Sequence, residues 1–241
     1  MNTIKAGKST VKWFVQLAAC VIFTVTAQMS LAGWAGDKIQ VREPGKLYNQ
    51  LSGDWWNWAM QFPLATNPIL EDGAVDCSRG QRGKVWFLAG TFGGTASRSC
   101  TVPAGKALFF PLTNSLWWAP EDGEDAVALR VLANDQVDPV SVLEITINGV
   151  AIEDPFAYRA QSLPGGFDLD FGPLLADLGI APEPDPRIAV ADGYWILLAP
   201  LKKGVHEIHF HAITGDPDSP DFEIEVTYYI SVVNGGHGFG H

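Results

Sequence analysis

In two stretches, Val205 to Ala212 and Phe222 to Val233, polar and apolar residues alternate, and a period of two confines each to extended backbone with side chains falling alternately on opposite faces. In Val205 to Ala212, His206, Ile208 and Phe210 share one face, while Glu207, His209 and His211 share the other. In Phe222 to Val233, the set Phe222, Ile224, Val226, Tyr228 and Ile230 opposes Glu223, Glu225, Thr227, Tyr229 and Ser231. Strands with one oily and one charged face belong to antiparallel sheets buried on a single side. Further strands are expected at Lys84 to Ala89, Lys106 to Leu112, Leu143 to Ile147, Val150 to Ile152, Phe156 to Gln161 and Gly193 to Ala199. Asn148-Gly149 between two of them is a strong hairpin signal. With no strand-helix-strand rhythm and no internal repeat, the expected fold is mainly β: an antiparallel two-sheet β-sandwich, with a jelly roll as one form it could take.

Helical additions are expected at two places. Leu47, Leu51, Trp55, Trp58, Ala59 and Phe62 recur at helical spacing between Glu43-Pro44 and Pro63, which gives an N-terminal amphipathic helix with an aromatic face. A short internal helix is expected at Asp125 to Ala133, with Val127, Ala128, Val131 and Leu132 on its apolar face. Acids at Glu121, Asp122, Glu124 and Asp125 suit the positive end of that helix's dipole. A turn of helix is expected at Pro173 to Leu178, before the proline-rich stretch 181–187. The glycine-rich run from Ala89 to Cys100 reads as a loop.

The first residues carry Lys5, Lys8 and Lys12 without an acid, followed by an apolar run from Trp13 to Val25 broken by Gln16 and Thr24. That is the layout of an export signal, with cleavage expected after Ala32 and Gly33 as the near alternative. Leu17-Ala18-Ala19-Cys20 has the form of a lipoprotein box, but Val21, Ile22, Phe23 and Val25 continue the apolar run past Cys20. The expected organisation is therefore a signal peptide over 1–32, a single sandwich domain over 33–233 and a flexible tail over 234–241. No later run approaches the roughly 20 apolar residues that cross a bilayer, so no stable transmembrane segment is expected after processing. The destination is the bacterial periplasm or the outside of the cell. In such an oxidising place Cys77 and Cys100 are expected to form a disulfide.

The chain carries 16 basic against 27 acidic residues, and loss of the leader removes three of the lysines and no acid. So acidic a surface repels nucleic acid and anionic lipid, which excludes nucleic-acid binding and favours neutral or cationic ligands.

The segment from Cys77 to Gly90, Cys-x-x-x-Gln-x-Gly-x-Val-Trp-Phe-Leu-Ala-Gly, is followed by Arg98-x-Cys100-x-Val-Pro-Ala-Gly-Lys-Ala, Phe109-Phe110-Pro111 and Asp192-Gly193-Tyr194-Trp195. With the export signal and the tryptophan-rich helix, this arrangement resembles a group of uncharacterised exported bacterial proteins. The resemblance implies one folded unit and bacterial export, and carries no activity with it.

Three groups of residues could form a site. His209 and His211, two apart on one strand face, could chelate a transition metal, with Glu207 or Glu223 adding oxygen. Asp216, Asp218 and Asp221 in Gly-Asp-Pro-Asp-Ser-Pro-Asp could hold Ca2+, although the glycine and glutamate of an EF-hand loop are missing. Each group is equally explained as a solvated strand face or an acidic turn. The third group is aromatic. Trp55, Trp56 and Trp58 cannot all face one core, which singles out Trp56 as the exposed ring, and Trp117-Trp118 follow Asn114. Rings beside amides suit a glycan, a peptide or a cell-envelope partner, while core packing is the plainer account. The sequence thus points to an exported non-catalytic binding or structural protein, with Trp56, Asn114, Trp117 and Trp118 as contacts. The alternative is a secreted hydrolase using a carboxylate pair drawn from Asp54, Asp76, Glu121 and Asp122, with Arg79 or Arg98 holding an anion.

Overall fold

A computed structural model describes residues 39–170, 172–179 and 187–235. The expected signal peptide, Cys20, most of the stretch 181–187 and the tail beyond Gly235 lie outside the described residues. The described chain forms two sheets, two longer helices and a short one. Helix α1 spans Lys46–Met60, α2 Ala126–Val137 and α3 Leu174–Asp177. The strands are β1 Gly73–Ala74, β2 Val85–Phe87, β3 Gly94–Pro103, β4 Ala107–Trp118, β5 Val140–Ile147, β6 Val150–Ala151, β7 Phe167–Leu169, β8 Arg187–Leu198, β9 Gly204–Asp216 and β10 Ser219–Val233. Four of them form one sheet in the order β2-β4-β8-β7, and six form the other in the order β1-β3-β10-β9-β5-β6.

The long pairs β10 with β9, β9 with β5, and β4 with β8 are antiparallel, as a sandwich requires. The faces of β9 and β10 fall as their alternation demands: His206, Ile208 and Phe210 inward on one strand, Ile224, Val226, Tyr228 and Ile230 inward on the other. Ile147 pairs with Val150 across Asn148 and Gly149, both at positive φ, the left-handed conformation that a two-residue hairpin needs. Cys77 and Cys100 are bonded.

Four local expectations are corrected. The glycine-rich run beyond Ala89 is not all loop: from Gly94 it becomes β3, paired in parallel with both β1 and β10. Ala96, Arg98, Cys100 and Val102 point inward there and Thr95, Ser97, Ser99 and Thr101 outward, an alternation hidden because so few of the inward side chains are large and apolar. Phe156 to Gln161 is not a strand but a 3-10 turn over Pro155–Tyr158, followed by a bridge from Arg159 to Tyr194. On α2 the buried residues are Leu129, Ala133 and Val137, spaced by four, while Val127 and Val131 are exposed. Asp125 caps that helix, its carboxylate accepting from the N–H groups of Val127 and Ala128.

The fourth concerns α1. Its buried stripe is Tyr48, Leu51, Ser52, Trp55, Trp56 and Ala59, wide enough to take two successive tryptophans, so Trp56 is 5 % exposed rather than free. Trp58 is buried outside the stripe because its ring meets Phe62 and Phe87 and its N–H donates to the Arg79 carbonyl. Trp55 and Tyr48 pack on Trp195 and Phe109 of the four-stranded sheet, and Phe110, the next residue of β4, stacks on Phe210 of β9. Neighbouring residues of a strand point oppositely, so α1 and the six-stranded sheet cover opposite faces of the four-stranded one.

Candidate functional site

Strand β4 carries a bulge between Pro111 and Thr113, opposite β8. A bulge bends a strand and re-aims the side chains after it. Beyond it Asn114 pairs with Gly193, where even a β-carbon would stand 2.6 Å from the Asn114 Cβ and from the Thr113 carbonyl oxygen. Only glycine permits that approach. The bulged stretch, the C-terminal half of α1 and two loops enclose a cavity of about 340 Å³. Trp55, Trp56 and Met60 line it from the helix, Pro111, Asn114, Leu116 and Trp118 from β4, and Asn67, Ile69 and Leu70 from the loop after α1. Gly90, Thr91 and Phe92 of the loop before β3, with Leu174, Leu178, Phe222 and Ile224, complete most of the wall.

Three of the four aromatic-group candidates, Trp56, Asn114 and Trp118, therefore line one cavity. Trp117 does not. It sits between Leu116 and Trp118 on the strand and packs instead on Leu129, Ala133 and Val190 beneath α2. The exposed apolar residues missed in the sequence, Leu64, Leu70, Phe92, Leu178 and Phe222, all border the same cavity. Phe92 is 55 % exposed and Phe222 37 %, an oily rim above a buried aromatic floor. Phe222 was visible only as an inward-pointing strand residue, and nothing local marked it as a rim.

Several polar groups in the wall are engaged. Asn67 donates to the Ala59 carbonyl and accepts from Ile69 N–H, and the Ser115 hydroxyl donates to the Ala133 carbonyl. Trp55 donates to the Leu88 carbonyl at 2.8 Å. Among the described residues of the wall, Trp56 Nε1 and Asn114 Nδ2 are buried donors with no hydrogen-bond partner. A buried donor left unpaired costs about 1–3 kcal/mol. Among the described residues, no Asp, Glu, His, Lys or Arg lines the cavity.

One buried cation holds two of its walls together. Arg98, 1 % exposed, donates from Nε to the Glu71 carbonyl at 2.7 Å, from Nη1 to the Ala89 carbonyl at 2.8 Å and the Tyr228 hydroxyl at 3.0 Å, and from Nη2 to the Ile69 carbonyl at 3.1 Å. These carbonyls belong to the loops that carry Leu70 and Gly90. Burial pushes the Tyr228 phenol above its ordinary pKa, and the adjacent Arg98 charge partly opposes that. The anion-holding role expected of Arg98 is thus replaced by a structural one. Arg79 is likewise taken, bonded to the Glu71 carboxylate at 2.6 Å and the Thr66 carbonyl at 2.7 Å.

The four carboxylates of the hydrolase alternative are dispersed. Asp54 lies in a shallow groove with Arg82 and Lys84, its pKa raised by partial desolvation, and Asp76 borders a different groove beside the disulfide. Ser78 donates to Asp76 and holds its carboxyl below the usual range. Glu121 pairs with Arg187 and Asp122 accepts from Trp118 N–H. None of the four borders the aromatic cavity.

His209 and His211 share the outward face of β9 as expected, but each is occupied separately: His209 with Thr227 and Glu225, His211 with Glu223 at 2.8 Å and with Glu144. The acidic run is not a wrapping loop. Asp216 pairs with Ser219 across a two-residue turn, and Asp216 accepts from the Asp218 N–H. Asp221 sits in the irregular register just after, against Gly215. Among the described residues, no three His, Cys, Asp or Glu stand together to hold a metal ion, and no helix is long and apolar enough to cross a membrane.

Compared with known proteins, the chain matches no family model, no curated protein and no solved structure.

Proposed function

We propose that this chain is an exported binding protein that takes an apolar molecule into the cavity between α1 and β4. The observation that carries this reading is the coincidence of an aromatic floor, an exposed apolar rim and a cavity of about 340 Å³ at one place. That volume is within the range of small-molecule sites, which are concave, mostly apolar and supplied with a few polar groups. A glycan would need polar partners along its length, and the wall offers few, so the apolar ligand is preferred to the sugar. The acidic balance of the chain is not felt in the wall, where none of the described residues is charged.

The test is binding of a neutral apolar dye, N-phenyl-1-naphthylamine, followed by its fluorescence. One dye should bind per chain and be displaced by apolar compounds but not by oligosaccharides. Gly90→Leu should abolish binding without unfolding the protein, since a β-carbon at Gly90 meets only the Pro111 ring, at 3.6 Å, and the added side chain fills the cavity. A silent dye, or a Gly90→Leu variant that binds as well as wild type, would remove the proposal.

A further inference from the structure

The chemistry of the ligand can be narrowed, on the reading that the cavity binds one. Its volume, about 340 Å³, is roughly twice that of an apolar cavity of about 150 Å³ that holds one benzene. A molecule of on the order of a dozen non-hydrogen atoms fills it. With no Asp, Glu, His, Lys or Arg among the described residues of the wall, an ionised group placed inside would lose its hydration and gain no counter-charge from them. A ligand with many hydroxyls finds few partners, because the Asn67 amide and the Thr91 and Ser115 hydroxyls already bond to the backbone, which leaves Thr113 and Gln136 beside Asn114.

Two groups are different. Asn114 Nδ2 and Trp56 Nε1 are buried donors without partners, and both residues line the cavity, one from the bulged strand and one from the helix. A native fold keeps few such groups, and each calls for a reason. Both are donors, so what they lack is an acceptor. We infer that the ligand is an uncharged, mostly hydrocarbon molecule of about a dozen non-hydrogen atoms bearing a carbonyl-type oxygen, which accepts from Asn114 and Trp56 while its hydrocarbon part lies toward the rim at Phe92 and Phe222.

The experiment compares undecane, 2-undecanone and undecanoate as displacers of N-phenyl-1-naphthylamine from wild type, Asn114→Leu and Trp56→Phe, at about pH 8 where a carboxylate is ionised. Comparing ratios cancels the different solubilities of ketone and alkane. The ketone-to-alkane affinity ratio should fall by roughly threefold to tenfold in Asn114→Leu, the value of one hydrogen bond, and in the same direction in Trp56→Phe. Circular dichroism reports whether each variant is folded, and the ratio rather than the alkane affinity itself carries the test; if Asn114→Leu does not fold, the Trp56→Phe ratio decides. Undecanoate should displace poorly from wild type. A ratio unchanged in the folded variants, or undecanoate competing as well as the ketone, would overturn the inference and leave the cavity reading standing. Failure of wild type to bind the dye at all would instead strike the cavity reading itself.

Discussion

Replacing Arg98 by lysine tests whether one buried guanidinium supports the cavity. The fork of Arg98 makes four hydrogen bonds from three nitrogens, to the carbonyls of Ile69, Glu71 and Ala89 and to the Tyr228 hydroxyl. An ammonium is a single point of donation and cannot reproduce that spread, although it keeps the charge. One or two of these buried oxygens would then go unpaired, each at about 1–3 kcal/mol, for a loss of about 3 kcal/mol. For a domain of this size that corresponds to a fall in Tm of about 6–12 °C. Thermal unfolding by circular dichroism measures it directly. Because the lost bonds anchor the loops bearing Leu70 and Gly90, dye binding at a temperature where the variant is folded should weaken as well. Arg98→Met removes the charge and all four bonds and should be less stable than Arg98→Lys. A lysine variant melting within about 2 °C of wild type would refute the reasoning, as would a methionine variant more stable than wild type, since desolvating the cation would then outweigh its bonds.

Other outcomes follow from single contacts. The bridge between Cys77 and Cys100, 23 residues apart, should contribute about 3 kcal/mol, so the double serine variant should melt markedly lower, and thiol titration of the unfolded, leader-free protein should find no free thiol. Gly193→Ala pushes a methyl group into the Thr113 carbonyl and Asn114 and should cost about 1–3 kcal/mol in denaturant titration, with weaker dye binding because Asn114 must move. Removing the α2 cap with Asp125→Ala should cost about 1 kcal/mol by the same titration. Partial desolvation raises the Asp54 pKa in the folded state, against the lowering effect of a Gln50 hydrogen bond, so its ionisation opposes folding once the pH rises above the unfolded value. Asp54→Asn should therefore raise Tm at neutral pH, with the gain disappearing as the pH falls below the ordinary aspartate range, and an equal gain at all pH values would contradict this assignment.

Much of the sheet structure was legible because it is written in neighbouring residues. The strict alternation of β9 and β10, the Asn148-Gly149 hairpin and the proline-bounded helix α1 each depend on a local period or a local backbone preference. Strand β3 was hidden for the converse reason: inward Ala96, Arg98 and Cys100 against outward Thr95, Ser97 and Ser99 make a faint contrast, and its pairing with β10 joins residues more than a hundred positions apart. The candidate site was half visible. Tryptophan density pointed to Trp56, Asn114 and Trp118, yet the argument that Trp56 must be exposed failed, because a broad helical stripe buried it beside Trp55.

By itself, the sequence determined the long strands β9 and β10 with their oily faces, the hairpin after β5 and the place of α1, since these follow from the fixed geometry of the backbone. Only the tertiary structure decided which oily faces meet. It brought Trp56, Asn114 and Phe222 around one cavity and turned Trp117 away from it, because strand register, a bulge and the parallel docking of β3 are set by contacts between distant segments that no local pattern encodes.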